Sequence, residues 1–195
     1  MKNLRPLTLA AAISAACATP AFADTPSSVA EALKAGDVTL SFRMRYEDVT
    51  LTNPSAEDGT ADLLSLKTRL TYTSADYQGW GLGIEMDDVT HINDLEPEGP
   101  ENGKPVIADP AGTEVNQYFL SYKFGKTATK YGRQRILLDN QRFVGGVGFR
   151  QNEQTYDALS VTSKDVENLT LFAAYVTNVN RIFGEGSTPD VQSKG

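Results

Sequence analysis

The sequence contains few chemically reactive side chains, with one cysteine and one histidine in 195 residues. The cysteine, Cys17, lies in an N-terminal segment typical of a secretory signal, in which Lys2 and Arg5 precede an apolar run and the small-residue motif "AFAD". Cleavage after Ala23 leaves a mature chain without cysteine, which excludes disulfides, thiolate catalysis and cysteine-ligated metals. A short buried helix and a lipoprotein signal at Cys17 are the alternatives to this interpretation.

Long hydrophobic runs and basic residues are also scarce. No stretch after Asp24 approaches the ~20 consecutive apolar residues of a membrane-spanning helix, although alternating barrel strands would leave no such run either. The 18 Lys and Arg residues stand against 25 Asp and Glu residues. The chain therefore lacks the basic footprint typical of nucleic-acid-binding proteins, and no nucleic-acid partner is predicted.

Catalytic motifs are missing as well. His91, the only histidine, follows a predicted strand, and no serine or acid motif accompanies it to predict a catalytic triad. The stretches "DPAGTE" and "GEGSTPD" lack the lysine and the helix of a phosphate-binding loop. The acidic loop "DLEPEGPE" has carboxylates that could bind Ca²⁺, but its Pro and Gly content fits a solvated loop better. The sequence predicts no enzyme activity, no cofactor and no metal.

What the sequence does contain is alternation. In "DVTLSFRMRYEDV", residues 37–49, apolar and polar side chains alternate strictly, which predicts a β-strand with one apolar and one polar face. Six further segments predict strands, although the alternation is less regular in the fifth of the seven predicted strands, "TKYGRQRI". The seven predicted strands cover residues 38–48, 64–73, 80–89, 115–124, 129–136, 156–163 and 169–177. The fold class is therefore all-β and antiparallel.

The connections between these strands alternate in length: long, short, long, short, long, short. Outer-membrane barrels have short periplasmic turns and long outer loops, whereas a soluble antiparallel meander predicts no such regularity. Aromatic residues cluster near the short-turn ends, as they do in interfacial girdles. These aromatic residues are Tyr72, Tyr77, Trp80, Phe124 and Tyr131, and Tyr46 lies at a long-loop end. We therefore predict a transmembrane β-barrel of the outer-membrane porin type.

Six charged residues of the first three predicted strands fall on the polar rows: Arg43, Arg45, Lys67, Arg69, Glu85 and Asp87. A charge at the bilayer midplane on the lipid face costs roughly 2–4 kcal/mol, so the polar rows are expected to face a water-filled lumen. The predicted pore-lining residues are Arg43, Arg45, Glu47, Lys67, Arg69, Glu85 and Asp87. The basic members would bias the pore toward anions, and the acidic members oppose this bias.

The loop "LLDNQRFVGGVGFRQNEQ" combines charged and amide side chains with glycines and with apolar residues that an exposed loop does not need. We predict that it folds into the lumen and narrows it. A hydrated surface loop with an apolar anchor is the alternative. The candidate constriction residues are Asp139, Asn140, Arg142, Arg150, Asn152 and Glu153.

Five segments within residues 37–185 carry a resemblance to a known family: "SFRMRYEDV", "LKTRLTYTSADYQGWG", "PVIADPAGTEVNQYFLSYK", "YGRQRILLDNQRFVGGVGFRQNEQTYDALSV" and "YVTNVNRIFGE". These segments resemble Gram-negative outer-membrane porins of the alginate-export-like family. The resemblance implies a single-chain barrel that acts as a passive pore for anionic or polar solutes, with an anionic polysaccharide such as alginate among the candidates. It also implies the outer membrane as location, and its lipid, its lipopolysaccharide and the barrel assembly machinery as partners.

The predicted strand number bears on the organisation of the chain. Seven is odd, and bacterial single-chain barrels have even numbers of strands. The C-terminal residues also read as a loop, so the chain is interpreted as the N-terminal part of a porin. The predicted organisation is a signal peptide at 1–23, a periplasmic segment at 24–36 and an incomplete barrel at 37–195. The alternative function is a non-transporting binding or structural protein, either a soluble β-sheet domain or an adhesin-like barrel.

Overall fold

The computed structural model describes residues 25–52, 59–93 and 105–184, together with the backbone of residues 11–14. Seven long antiparallel strands form one sheet, in which each strand pairs with its neighbours in the chain, so the all-β prediction is confirmed. The elements are β1 (Ala11–Ser14), α1 (Val29–Lys34), β2 (Asp37–Leu51), β3 (Gly59–Thr73), β4 (Trp80–His91), β5 (Gly112–Phe124), β6 (Thr127–Gln134), β7 (Thr155–Ser163) and β8 (Leu171–Asn180).

The short strand β1 falls within the predicted signal peptide. It pairs with the middle of β2 from Ala11↔Met44 to Ser14↔Ser41. The rest of the predicted signal peptide and the acidic loop "DLEPEGPE" lie outside the described residues. Within the described residues the sheet is open, with β1 and β8 at its two edges.

All seven predicted strands are present, and most of them are longer than predicted. β2 and β3 pair without a break from Asp37↔Thr73 to Leu51↔Gly59. His91, which was expected in a loop, is the last residue of β4. The alternation of side chains in β6 is interrupted by Gly132. A glycine is required there because φ is 122° and a Cβ would lie 2.3 Å from the Tyr118 carbonyl oxygen.

The connections between the strands alternate in length less regularly than predicted. At one end they comprise residues 74–79, 125–126 and 164–170, which we call the short turns. At the other end the connections after His91 and Gln134 have 20 residues each, but the one after Leu51 has seven, as many as residues 164–170. Because neighbouring strands are antiparallel, all short turns lie at one end of the sheet and all long loops at the other.

The helix α1 lies at the short-turn end. Its N-cap, Ser28, accepts a hydrogen bond from the Glu31 backbone N–H. The Tyr72 hydroxyl donates to the Leu33 carbonyl oxygen at 2.7 Å, and the Ala75 N–H donates to the Ala32 carbonyl oxygen at 3.1 Å. No helix among the described residues is long and apolar enough to cross a membrane.

The paired strands are also staggered. Val38 in β2 and its partner Tyr72 in β3 lie one residue from the short-turn ends of their strands. Following the paired residues from Tyr72, strand by strand, leads to Asp157 in β7 and then to Asn178 in β8. Asp157 lies six residues, and Asn178 seven residues, from the short-turn end of its own strand. The stagger is about one residue per strand, or ~3.3 Å along a strand for every ~4.8 Å between strands. This ratio corresponds to a strand tilt of roughly 35°.

The exposure of the two faces is inverted relative to a soluble sheet, which buries its apolar side chains. On one face, Val38 is 63% exposed and Met44 is 49% exposed, whereas on the other face Arg45 and Lys67 are each 5% exposed. We call these the apolar face and the polar face. The apolar face includes Leu40, Phe42, Leu70, Trp80, Ile84, Met86, Tyr118, Leu120, Tyr131 and Leu159, all of them exposed.

Candidate functional site: a loop packed on the polar face

Residues 135–154 connect β6 to β7 and fold back over the polar face of the sheet. The loop is anchored by an apolar cluster in which Ile136 packs with Tyr156 and Ala158 of β7, next to Leu138 and Val144. The Tyr156 hydroxyl donates to the Gly145 carbonyl oxygen at 3.0 Å. The apolar residues that seemed superfluous for an exposed loop thus hold it against the sheet.

Two arginines of β2 bind the backbone of this loop. Arg43 donates to the carbonyl oxygens of Gly148, Phe149 and Arg150 at 2.9–3.0 Å. Arg45 donates to the Phe149 carbonyl oxygen at 2.6 Å, and its guanidinium carbon lies 3.9 Å from the centre of the Phe149 ring. A carbonyl oxygen accepts without carrying a full charge, so these contacts position the loop, and Arg43 has no ion pair with any of the described residues.

Glu153 is the centre of the second group of contacts. Its carboxylate lies 2.5 Å from Arg135 Nε, 3.0 Å from Arg69 Nη2 and 3.5 Å from Lys67 Nζ. Arg135 also pairs with Glu85, so the loop binds both β3 and β4. Side-chain exposures between 5% and 22% place this cluster largely out of water.

The strands hold the remaining charges of this cluster in fixed positions. Arg69 donates to both carboxylate oxygens of Asp87, at 2.6 and 2.7 Å, and such bidentate pairs are the strongest of the charge-assisted hydrogen bonds. The register of β4 and β5 shifts after Glu85, and the extra residue, Asn116, donates its side-chain amide to Glu85 at 2.7 Å. The bulge thus aims an amide at the polar face.

Asp109 joins a second long loop to the same site. It precedes β5, and its carboxylate accepts the Gln151 backbone N–H at 2.7 Å and lies 2.9 Å from Arg45 Nη1. Its own carbonyl oxygen lies 2.8 Å from His91 Nε2. Gln151, fully buried, donates its side-chain amide to Ser65 Oγ at 2.9 Å. Asp109 and Gln151 therefore connect two loops and three strands.

All seven residues predicted to line a pore lie on the polar face, but most of them are paired. Glu47 bridges Arg45 at 2.5 Å and Arg150 at 3.0 Å. Together with the pairs around Glu85, Asp87 and Glu153, this arrangement brings nearly equal numbers of opposite charges together. The net positive field expected from the arginines of the sequence is consequently reduced where the loop packs on the sheet.

The six candidate constriction residues divide into two groups. Arg150 and Glu153 make the ion pairs above, and Asn152 donates its amide to Glu114 at 3.1 Å. Asp139, Asn140 and Arg142 are exposed at the tip of the loop. The alternation in the strands and the glycines of the loop do not indicate which of the six residues contact the sheet and which remain exposed.

Sequence reasoning missed four residues of the site: Asp109, Asn116, Arg135 and Gln151. Alternation alone would not have indicated Arg135, because it places this residue in the row of Tyr131, on the apolar face. Nothing in the pattern around Asp109 or Gln151 indicates that their loops meet, because that contact depends on the packing of the two loops.

The charges around Glu153 make docking of the loop resistant to acid. Burial alone would raise the pKa of Glu153, but Arg69, Arg135 and Lys67 outweigh burial and hold this pKa at about 2. A depressed pKa contributes stability above the unfolded-state value of about 4.3, and this contribution is lost as the pH falls through the folded-state value.

We expect protection of residues 143–153 from hydrogen exchange, corrected for intrinsic exchange rates, to stay constant from pH 7 to about pH 5. It should decline progressively below that and be lost near pH 2. The variant Glu153→Gln should show weak protection throughout. A loss of protection in the wild type between pH 7 and pH 5 would contradict the assignment.

Among the described residues, no group of three or more His, Cys, Asp or Glu side chains is placed to hold a metal ion. The polar face is thus a surface of ion pairs and amides, and the loop is its main cover. No family model matches this chain, and no match was found among curated proteins or solved structures.

Proposed function

We propose that this chain forms part of the wall of an outer-membrane β-barrel pore that lets polar or anionic solutes pass passively. The observation that carries the proposal is the inverted exposure of the sheet, with large apolar side chains on the open face and charges on the covered one. In water such a surface favours aggregation, and in a bilayer it is the lipid-facing surface.

The dimensions of the apolar face support the proposal. The apolar row of β2 runs from Val38 to Tyr46, which at ~3.3 Å per residue is about 26 Å along the strand. The next residue of the row is Asp48, which pairs directly with Asp62 of β3. At the roughly 35° tilt that the stagger indicates, this stretch rises about 22 Å along the membrane normal, which is close to the ~25 Å apolar band of a barrel, and charged residues follow it.

The two edges of the sheet add a requirement. An unpaired strand edge in hydrocarbon leaves backbone groups unsatisfied at several kcal/mol each. β8 therefore needs a strand beyond it, and the edge of β2 needs more than the four residues of β1. The seven long strands are accordingly proposed as one part of a closed barrel, consistent with the resemblance to alginate-export-like porins.

The solute follows from the polar face. Arg43, which has no acidic partner in the described part of the chain, favours anions, while the paired charges around Glu85 and Glu153 contribute little net field. We propose a moderately anion-selective pore for small polar solutes, with the loop at 135–154 as the narrowing element. Lipid, lipopolysaccharide and the barrel assembly machinery are the proposed partners.

Cysteine labelling in lipid vesicles tests the face assignment. In a Cys17→Ser background, cysteine at Thr39 or Lys123 on the polar face should react with a water-soluble maleimide. Cysteine at Leu40 or Leu120 on the apolar face should react at least tenfold more slowly until detergent replaces lipid. Equal rates at adjacent positions 39 and 40 in vesicles would contradict the proposal.

Conductance separates the pore from a non-transporting sheet protein. Stepwise channels in planar bilayers, with a reversal potential of the sign of anion preference, support transport. A membrane-inserted protein that labels as above but conducts no ions would support the alternative, a structural or binding barrel.

A further inference from the structure

A cavity of about 590 Å³ lies on the polar face toward the short-turn end, beneath the loop at 135–154. Three basic side chains line it. Two of them are compensated, because Lys123 pairs with Asp76 at 2.6 Å and Arg135 pairs with Glu85 and Glu153. The third, Lys130 of β6, is different.

Lys130 has no acidic partner among the described residues. Its ammonium lies 4.0 Å from the centre of the Phe119 ring. The ring also lies close to Gly83, where a Cβ would be 2.4 Å from Phe119 Cζ. A cation–π contact stabilises an ammonium without neutralising it. One uncompensated positive charge therefore remains in a half-enclosed cavity.

Three hydroxyl groups of the cavity already donate hydrogen bonds within the protein, among them that of Thr129 to the Tyr122 carbonyl oxygen at 3.2 Å. Ser121 Oγ donates to the Gly81 carbonyl oxygen at 3.1 Å, and Ser160 Oγ donates to Gln134 Oε1 at 2.6 Å. These hydroxyl protons are not available for the acceptors of a sugar. The remaining wall includes a second phenyl ring, Phe172 of β8.

We propose that this cavity binds a monocarboxylate with an aromatic or other apolar body. The carboxylate pairs with Lys130, and the body packs between Phe119 and Phe172. A single negative charge matches the single uncompensated cation, and the apolar walls match the body. The inference rests on the polar face being reached by water, as in the proposed function.

Benzoate is the probe, titrated into the whole protein in detergent micelles by isothermal titration calorimetry. Lys130→Gln should weaken benzoate binding at least tenfold, because it removes the charge-assisted hydrogen bond. Lys130→Arg, which keeps the charge, should retain the affinity within about threefold. The matched control Lys164→Gln removes an exposed lysine of the turn between β7 and β8, outside the cavity, and should change the affinity less than twofold.

Two comparison ligands test the ligand class. Benzyl alcohol has the ring without the charge, and glucuronate has the charge without the apolar body, so each should bind at least tenfold more weakly than benzoate. Equal benzoate affinity in wild type and Lys130→Gln would overturn the site. Glucuronate binding as tightly as benzoate would overturn the assigned class. Either result, obtained with a protein whose Thr39→Cys variant labels from water, leaves the proposed pore standing.

Discussion

Replacing Glu153 with glutamine is expected to release the loop at 135–154 from the polar face. The carboxylate faces Lys67, Arg69 and Arg135 within 3.5 Å. Removing it leaves three cations close together and largely out of water, and breaking a buried ion pair in this way typically costs 3–5 kcal/mol. A pKa lowered from 4.5 to about 2 corresponds to about 3 kcal/mol of stabilisation at neutral pH.

The measurement is hydrogen exchange of residues 143–153 at pH 7. A loss of about 3 kcal/mol corresponds to loop opening that is roughly 100-fold more frequent. Asp139→Asn is the matched control, since it makes the same acid-to-amide change at an exposed position of the same loop. Asp139 has a φ of 50°, which asparagine also adopts. Equal exchange in the two variants would show that Glu153 does not hold the loop.

In the proposed membrane-inserted protein, arginine at Leu40 is expected to cost about 2 kcal/mol of stability, because Leu40 lies between the midplane, where the cost is about 2–4 kcal/mol, and the interface, where it is about 0–1 kcal/mol. Leu40 is 43% exposed on the apolar face and pairs with Leu70. At this position an arginine would have to leave the lipid or carry its charge into it, which is the cost measured on barrel lipid faces. In water, by contrast, an exposed Leu→Arg change costs within about 0.5 kcal/mol.

Thr39→Arg is the matched control, because residue 39 is adjacent and lies on the polar face, exposed. Urea unfolding from lipid vesicles should show the large loss for position 40 and less than about 1 kcal/mol for position 39. Similar small losses at both positions would identify a sheet that lies in water on both faces.

The strands were predictable because the alternation that sets a face is local. In "DVTLSFRMRYEDV" the polarity of each residue predicts which face of the sheet it lies on. The register of β2 with β3 agrees, because paired residues of the two strands lie on the same face. The extra lengths of β2 and β3 were not predictable from this signal. The last residues of β2 pair with the first residues of β3, on either side of a loop whose sequence shows no alternation.

The site was predictable only in part. Charged residues in strands keep their face once the strand is known, so Arg43 and Asp87 fell where the pattern placed them. The partners of these charges depend on how two long loops pack. Asp109 is 64 positions from Arg45 and 42 from Gln151 in the sequence, and no local pattern indicates that they meet.

The contact of the loop with β2 has a mechanical consequence. Residues 148–150 bind Arg43, more than 100 positions earlier, while Tyr156 holds the other end of the loop on β7. The loop thus acts as a chord across an arc of six strands, β2 to β7. A chord of fixed length sets the radius of its arc, so shortening or lengthening this segment would change the curvature of the sheet.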